Sequence, residues 1–121
     1  MKIVNPTAIL GEDAAVSFLR KKHYRILERN FREGYGEVDI IAVKDNVLVF
    51  VEVKTRSSSL YGTPFEAIDP KKLRVLVKCA NYYKYILHPE LPDDLRIDAI
   101  GVIVNGQKVK SIEQIENVSS F

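Results

Sequence analysis

Of cysteine, tryptophan and methionine this 121-residue chain has almost nothing: one Cys, one Met and no Trp. The lone Cys79 excludes an intramolecular disulfide framework and a multi-cysteine zinc site, and it fits a reduced, cytoplasmic setting. Its simplest role is that of a small buried apolar residue. No stretch approaches 18 uninterrupted apolar residues, and the N-terminal MKIVNPTAIL has one lysine and no sustained apolar core. A soluble protein, neither exported nor membrane-spanning, is therefore expected. A strong excess of one charge is also missing: 18 basic against 16 acidic side chains leave +2. Bulk charge thus announces no nucleic-acid partner. What the chain does have is 46% apolar residues, enough for a real core in a single domain spanning residues 1–121.

The apolar pattern sets out an α/β order. Asn5 can cap and Pro6 open a helix that carries Ala8, Ala15, Phe18 and Leu19 at helical spacing and ends near His23. Three runs rich in Val, Ile and aromatics follow, Tyr24–Phe31, Glu37–Val43 and Val47–Thr55, separated by Glu33-Gly34-Tyr35-Gly36 and by Asp45-Asn46. Arg56–Pro64 reads as a polar loop. Asp69-Pro70 then starts a second helix with an apolar face of Leu73, Leu76, Val77, Ala80, Tyr83 and Leu87. Arg96–Val104 and Gln107–Ile112 complete the chain as a hairpin around Asn105-Gly106. This order predicts a mixed central sheet with helices packed on its faces.

Register arithmetic singles out one hairpin. If Asp45-Asn46 is a two-residue turn, Lys44 faces Val47, Ile41 faces Phe50 and Asp39 faces Glu52. Alternation then puts Asp39, Ile41 and Val43 on one face with Leu48, Phe50, Glu52 and Lys54. Directly opposed like charges cost up to about 1 kcal/mol unless a positive group lies between them. A hard divalent cation, Mg²⁺ or Mn²⁺, suits two carboxylates and leaves positions for water and a phosphate oxygen. Lys54 can orient an attacking water or stabilise charge developing on phosphorus. Glu37, opposite Lys54, either pairs with it or projects to solvent. Glu12, on the edge of the first helix's apolar stripe, is a third candidate acid at the metal.

Gly11-Glu12 with Ala15, Asn30 and Arg32, GEVDIIA at 36–42, LVFVEVKTR at 48–56 and Arg96-Ile-Asp98 resemble the YraN-like family of small uncharacterised proteins. That family is similar to archaeal Holliday junction resolvases within the PD-(D/E)XK nuclease superfamily. The resemblance spans nearly the whole chain and implies a restriction-endonuclease-like αβββαβ core. It further implies Asp39 and Glu52 as metal ligands, Lys54 as catalytic lysine, Glu12 as the helix-borne acid, and the Val53 carbonyl as a further metal contact. The superfamily's proline before the first acid is replaced here by Val38.

Charge is unevenly distributed. Residues 1–87 carry 15 basic and 10 acidic side chains, whereas 88–121 carry 3 and 6. Arg20, Lys21, Lys22, Arg25, Arg29 and Arg32 cluster around the end of the first helix and the first strand. Lys71, Arg74 and Lys78 recur at helical spacing, with Tyr82 and Tyr85 continuing the row, a pattern able to follow a phosphate backbone and stack on bases. Arg32 and Arg56, flanking the proposed metal, are candidate phosphate contacts. No zinc finger, helix-turn-helix or long base-reading insertion is present. The expected activity is accordingly Mg²⁺-dependent endonucleolytic hydrolysis of DNA, with branched or structured DNA as the candidate substrate, and a homodimer if two strands are cut symmetrically. The alternative is a non-catalytic nucleic-acid-binding or protein-interaction module on the same fold.

Overall fold

In the computed structural model, which describes residues 5–34, 36–57 and 69–118, the side chain of Asn5 accepts hydrogen bonds from the N–H groups of Thr7 and Ala8, and Pro6 opens helix α1, Pro6–Lys21. An Asn cap before an N1 proline satisfies two otherwise orphaned amides. Strands β1 (Arg25–Glu33), β2 (Gly36–Lys44) and β3 (Val47–Arg56) follow. Asp69 then caps helix α2, Pro70–Tyr82, by accepting from Lys72 N. A π-helical turn, Tyr83–Leu87, leads to β4 (Asp94–Asn105) and β5 (Lys108–Ile115). The expected polar loop begins one residue later than the sequence pattern places it, since Arg56 is the last residue of β3, and beyond Ser57 it lies outside the described residues.

The five strands lie in the order β1-β2-β3-β4-β5; β3 and β4 run parallel, joined by α2, and the other neighbours are antiparallel. This mixed sheet flanked by helices is the α/β architecture that the sequence pattern predicts. Lys44↔Val47 closes the β2–β3 hairpin, with Asp45 and Asn46 both at positive φ. That is the type I′ geometry that matches strand twist.

Alternation along the strands divides the core in two. Ile40, Ala42, Val49 and Val51 pack with Ala15, Val16 and Leu19 of α1; Ile41, Leu48 and Phe50 pack with Leu76, Cys79, Ala80 and Tyr83 on the α2 side. Leu87, expected on the apolar face of α2, is instead 43% exposed. The π-helical turn explains the difference, because its wider winding rotates the last residues out of phase with α2. Lys84 is rotated inward by the same turn and lies buried. Its ammonium donates to the carbonyls of Pro89 and Leu91 and pairs with Asp93.

Two glycines set how closely the helices approach. A Cβ on Gly11 would lie 1.9 Å from Thr55 Oγ1, and one on Gly36 would lie 2.5 Å from both Cys79 Sγ and Val75 Cγ1. Side chains at these positions would hold α1 off β3 and α2 off β2. Each glycine immediately precedes a glutamate, so the close approach at Gly11 brings Glu12 against the sheet.

Candidate functional site

The β2–β3 ladder follows the expected register from the turn as far as Ile40↔Val51. There it stops, and Asp39 takes over: its Oδ2 accepts from Val53 N at 2.7 Å. The carboxylate thus occupies the place of the next backbone acceptor, between the strands.

The face assignment of Asp39 needs correction. Strict alternation places it with Ile41 and Val43 on the α2 side. Instead Val38 and Ile41, three residues apart, both belong to the α2-side core, while Ile40 packs toward α1. Asp39 lines a cleft of about 150 Å³ with Thr7, Ala8 and Glu12 of α1 and Val53 and Thr55 of β3. On β1 the same slip occurs: Arg29 and Asn30, consecutive residues, both reach Glu12. Asn30 has φ +56 in mid-strand, a left-handed conformation that Asn tolerates better than most residues. Because both strands slip together, the pairing Arg29↔Ile40 is followed in register by Phe31↔Val38. The result turns Asn30 and Asp39 jointly toward α1.

Glu52 remains on the α2 side and is 5% exposed. Lys72 Nζ lies 3.2 Å from its Oε2, yet that oxygen has no hydrogen bond among the described residues. The two observations are compatible: the ammonium offsets the charge at short range without pointing a proton along the acceptor direction. Asp39 and Glu52 are close enough to interact strongly. Burial, then a hydrogen bond and the charge of Glu52, push the Asp39 carboxyl up to about 8, with Val53 N–H opposing and Glu12 adding to the rise. Two acids compressed in this way hold a proton that isolated carboxylates would have lost.

Glu12 faces the same cleft, but its carboxylate is already engaged by Arg29 Nε at 3.0 Å and Asn30 Nδ2 at 3.1 Å, and Arg29 also holds Asp13 at 2.7 Å. Among the described residues no three of His, Cys, Asp and Glu come close enough to hold a metal together. The close donor set is the Asp39–Glu52 pair, with Glu12 set back behind its own partners. Lys54 is half-buried on β3, two residues beyond Glu52 on the same side of the strand. Glu37 pairs with neither Lys54 nor solvent alone: its nearest cation is Arg32, Nε to carboxylate 3.8 Å, with Arg32 largely exposed. Arg56 Nε is buried with no hydrogen-bond partner among the described residues.

The basic cluster around the end of α1 dissolves in part, since Arg29 is tied to Glu12 and Asp13 and Lys22 donates to Gln114. Lys71, Arg74 and Lys78 stand together on the exposed side of α2. Lys72, which touches Glu52, escaped the sequence reading because it sits one residue out of phase with that row. The signal that could have found it is the Asp69-Pro70 start, which places residue 72 on the first turn of a helix packed over β3.

A carboxyl pair at the open end of a hairpin, inside a mixed α/β sheet whose two helices are seated by glycines, defines the class: a small α/β domain with an acidic site across β2 and β3. Residues 11–102 match the family described as Uncharacterised protein family UPF0102, and the chain belongs to it. It is 44% identical over 100 residues to a UPF0102 protein of Syntrophomonas wolfei, covering 83% of this chain and 86% of that one. To a UPF0102 protein of Flavobacterium psychrophilum it is 43% identical over 113 residues, 93% and 92% of the two chains. The matched span includes Glu12, Asp39, Glu52 and Lys54. Among the described residues no helix is long and apolar enough to cross a membrane.

Proposed function

We propose that this protein is a Mg²⁺- or Mn²⁺-dependent endonuclease-like phosphodiesterase acting on DNA, built on the restriction-endonuclease-like plan of the PD-(D/E)XK superfamily. The observation that carries the reading is the Asp39–Glu52 pair. Two carboxyls are pressed together, one of them with its value pushed up to about 8 and the other with an oxygen lacking a hydrogen bond among the described residues. A buried carboxylate oxygen whose nearby ammonium, Lys72 at 3.2 Å, gives it no hydrogen bond is costly, and a cation between the acids is the partner that would relieve both carboxyls at once. The donor set fits a hard ion, because Mg²⁺ characteristically takes one or two carboxylates and completes its shell with water and phosphate oxygens.

A bound ion would supply Lewis acidity at the phosphoryl oxygen. The chain's own residues do the rest. Asp39 and Glu52 would hold the ion, with the Val53 carbonyl as a further candidate contact, and Glu12, fixed by Arg29 and Asn30, faces the Asp39 side of the cleft. Lys54 orients the attacking water and stabilises charge on the phosphoryl group. Arg32 and Arg56, with the α2 row, contact phosphates. Lys72 shields the pair while no ion is bound.

Junction, flap and single-stranded DNA incubated with the protein in Mg²⁺ or Mn²⁺ test the assignment. Metal-dependent cleavage that is lost in both Glu52→Gln and Lys54→Ala supports it; cleavage that survives both refutes it. Tight DNA binding without Mn²⁺ binding or cleavage would instead indicate a non-catalytic nucleic-acid-binding module.

A further inference from the structure

Beside α2, one helical turn past Lys72, lies a second cavity, of about 250 Å³, lined by Glu33 at the end of β1, Gly36 at the start of β2 and Val75, Lys78, Cys79 and Tyr82 of the helix. Val75, Cys79 and Tyr82 make its walls apolar and partly aromatic. Its floor is backbone at Gly36, where any side chain would collide with Val75 and Cys79. Glu33 and Lys78, both exposed, are the charged groups at its margin. The volume falls below the usual range for drug-sized ligands, about 300–1,000 Å³, and suits one flat heterocycle.

Its position points to the occupant. Val75 follows Lys72 by one helical turn, so the cavity begins about 4.5 Å along α2 from the residue that touches Glu52. Lys71, Arg74 and Lys78 run along the exposed side of that helix. A cation row parallel to an aromatic-walled cavity matches a nucleic-acid strand, which alternates phosphates with flat apolar rings. An apolar peptide side chain would leave the cation row without a partner, and an acyl chain would leave both the row and Glu33 without one.

Resting on the reading of this chain as a DNA nuclease, we propose that the cavity receives an unpaired nucleobase of DNA close to the scissile phosphate. Tyr82 stacks on the ring, Lys78 holds the adjacent phosphate, and Glu33 accepts from an exocyclic amino group. The acceptor at Glu33 favours bases that carry such a group, cytosine above all, over thymine. The substrate class is therefore DNA with a base out of the stack, at a bulge, flap or branch.

Fluorescence anisotropy in EDTA, without turnover, tests this directly. The probes are one labelled duplex carrying a single unpaired cytosine, the same duplex with an unpaired thymine or an abasic residue in its place, and the fully paired duplex. Wild-type protein should bind the unpaired cytosine about tenfold more tightly than the abasic probe, with thymine between them. Tyr82→Ala and the cavity-filling Val75→Trp should each erase that difference, read as the ratio of cytosine to abasic affinity, and Tyr82→Phe should keep it. Equal affinity of wild type for cytosine and abasic probes, or a difference that persists in both Tyr82→Ala and Val75→Trp, overturns the proposal. Base discrimination without cleavage in Mg²⁺ would retain the pocket and remove the nuclease; cleavage without discrimination would do the reverse.

Discussion

Asp98 on β4 and Asp39 on β2 are carboxylates held within the same sheet, and their surroundings are opposite. Asp98, 0% exposed, accepts from Arg96 Nε at 2.8 Å and Nη2 at 2.9 Å, from Gln114 Nε2 at 2.9 Å and from Asn117 N at 2.9 Å. Tyr24 joins the network through Arg96 and Gln114. Every lone pair of that carboxylate has a donor from its own chain, and the network ties β4, β5 and the segment after α1 together. Asp39 has one backbone donor and, on its other side, a second acid. A carboxylate that serves the fold is saturated by the fold. One that is kept short of donors, next to another of its kind, costs stability, and that cost is the ground of the proposed cation site.

Four measurements would break or sharpen that contrast. Asp98→Ala should be the most damaging change, because it leaves the Arg96 guanidinium without its main partner inside the sheet: about 3–5 kcal/mol by urea denaturation, with Mn²⁺ affinity of any surviving fold unchanged. Glu52→Gln should do the opposite, leaving metal-free stability equal or higher while metal-dependent cleavage falls by about 100-fold or more. Third, pH should separate the two acids. Asp39 lies at about 8 in the folded chain against an ordinary 3.8, so between those values the folded state holds a proton that the unfolded state has released. Metal-free stability must then fall as pH rises through that window and level off above about 8. Asp39→Asn should flatten the slope, and saturating Mn²⁺ should weaken it, since the ion favours the deprotonated pair. Smallest is Lys72→Met: removing the ammonium 3.2 Å from Glu52 takes away a competing cation, and Mn²⁺ should bind about two- to fivefold more tightly by isothermal titration.

Much of this was legible in residue order. The β2–β3 register followed from two turn residues, Asp45 and Asn46, because a type I′ turn fixes every pair behind it. Helix starts followed from Asn5-Pro6 and Asp69-Pro70 for the same reason, local chemistry acting over two or three residues. The α2 cation row was visible as periodicity. What escaped was non-local. The orientation of Asp39 goes with a positive φ at Asn30 on the neighbouring strand, which a rule of strict alternation cannot anticipate. Arg29 read as part of a basic surface, yet its partners Glu12 and Asp13 belong to α1 and meet it only after folding. Lys72 was hidden by a neighbour with a clearer pattern, and the outward turn of Leu87 by a change of helical winding that carries no strong sequence mark.

The paired slip at Asn30 and Asp39 bears on how small a working unit of this protein can be. A hairpin carrying only the GEVDIIA and LVFVEVKTR segments would reproduce the acids, the lysine and the bond from Val53 N to Asp39, but it would lack β1, whose Arg29 and Asn30 hold Glu12 at the cleft. Glu12 comes from α1, its holders from β1, the acid pair from β2 and β3, and the ammonium beside Glu52 from α2, so the arrangement belongs to the whole domain and no two-strand fragment carries it.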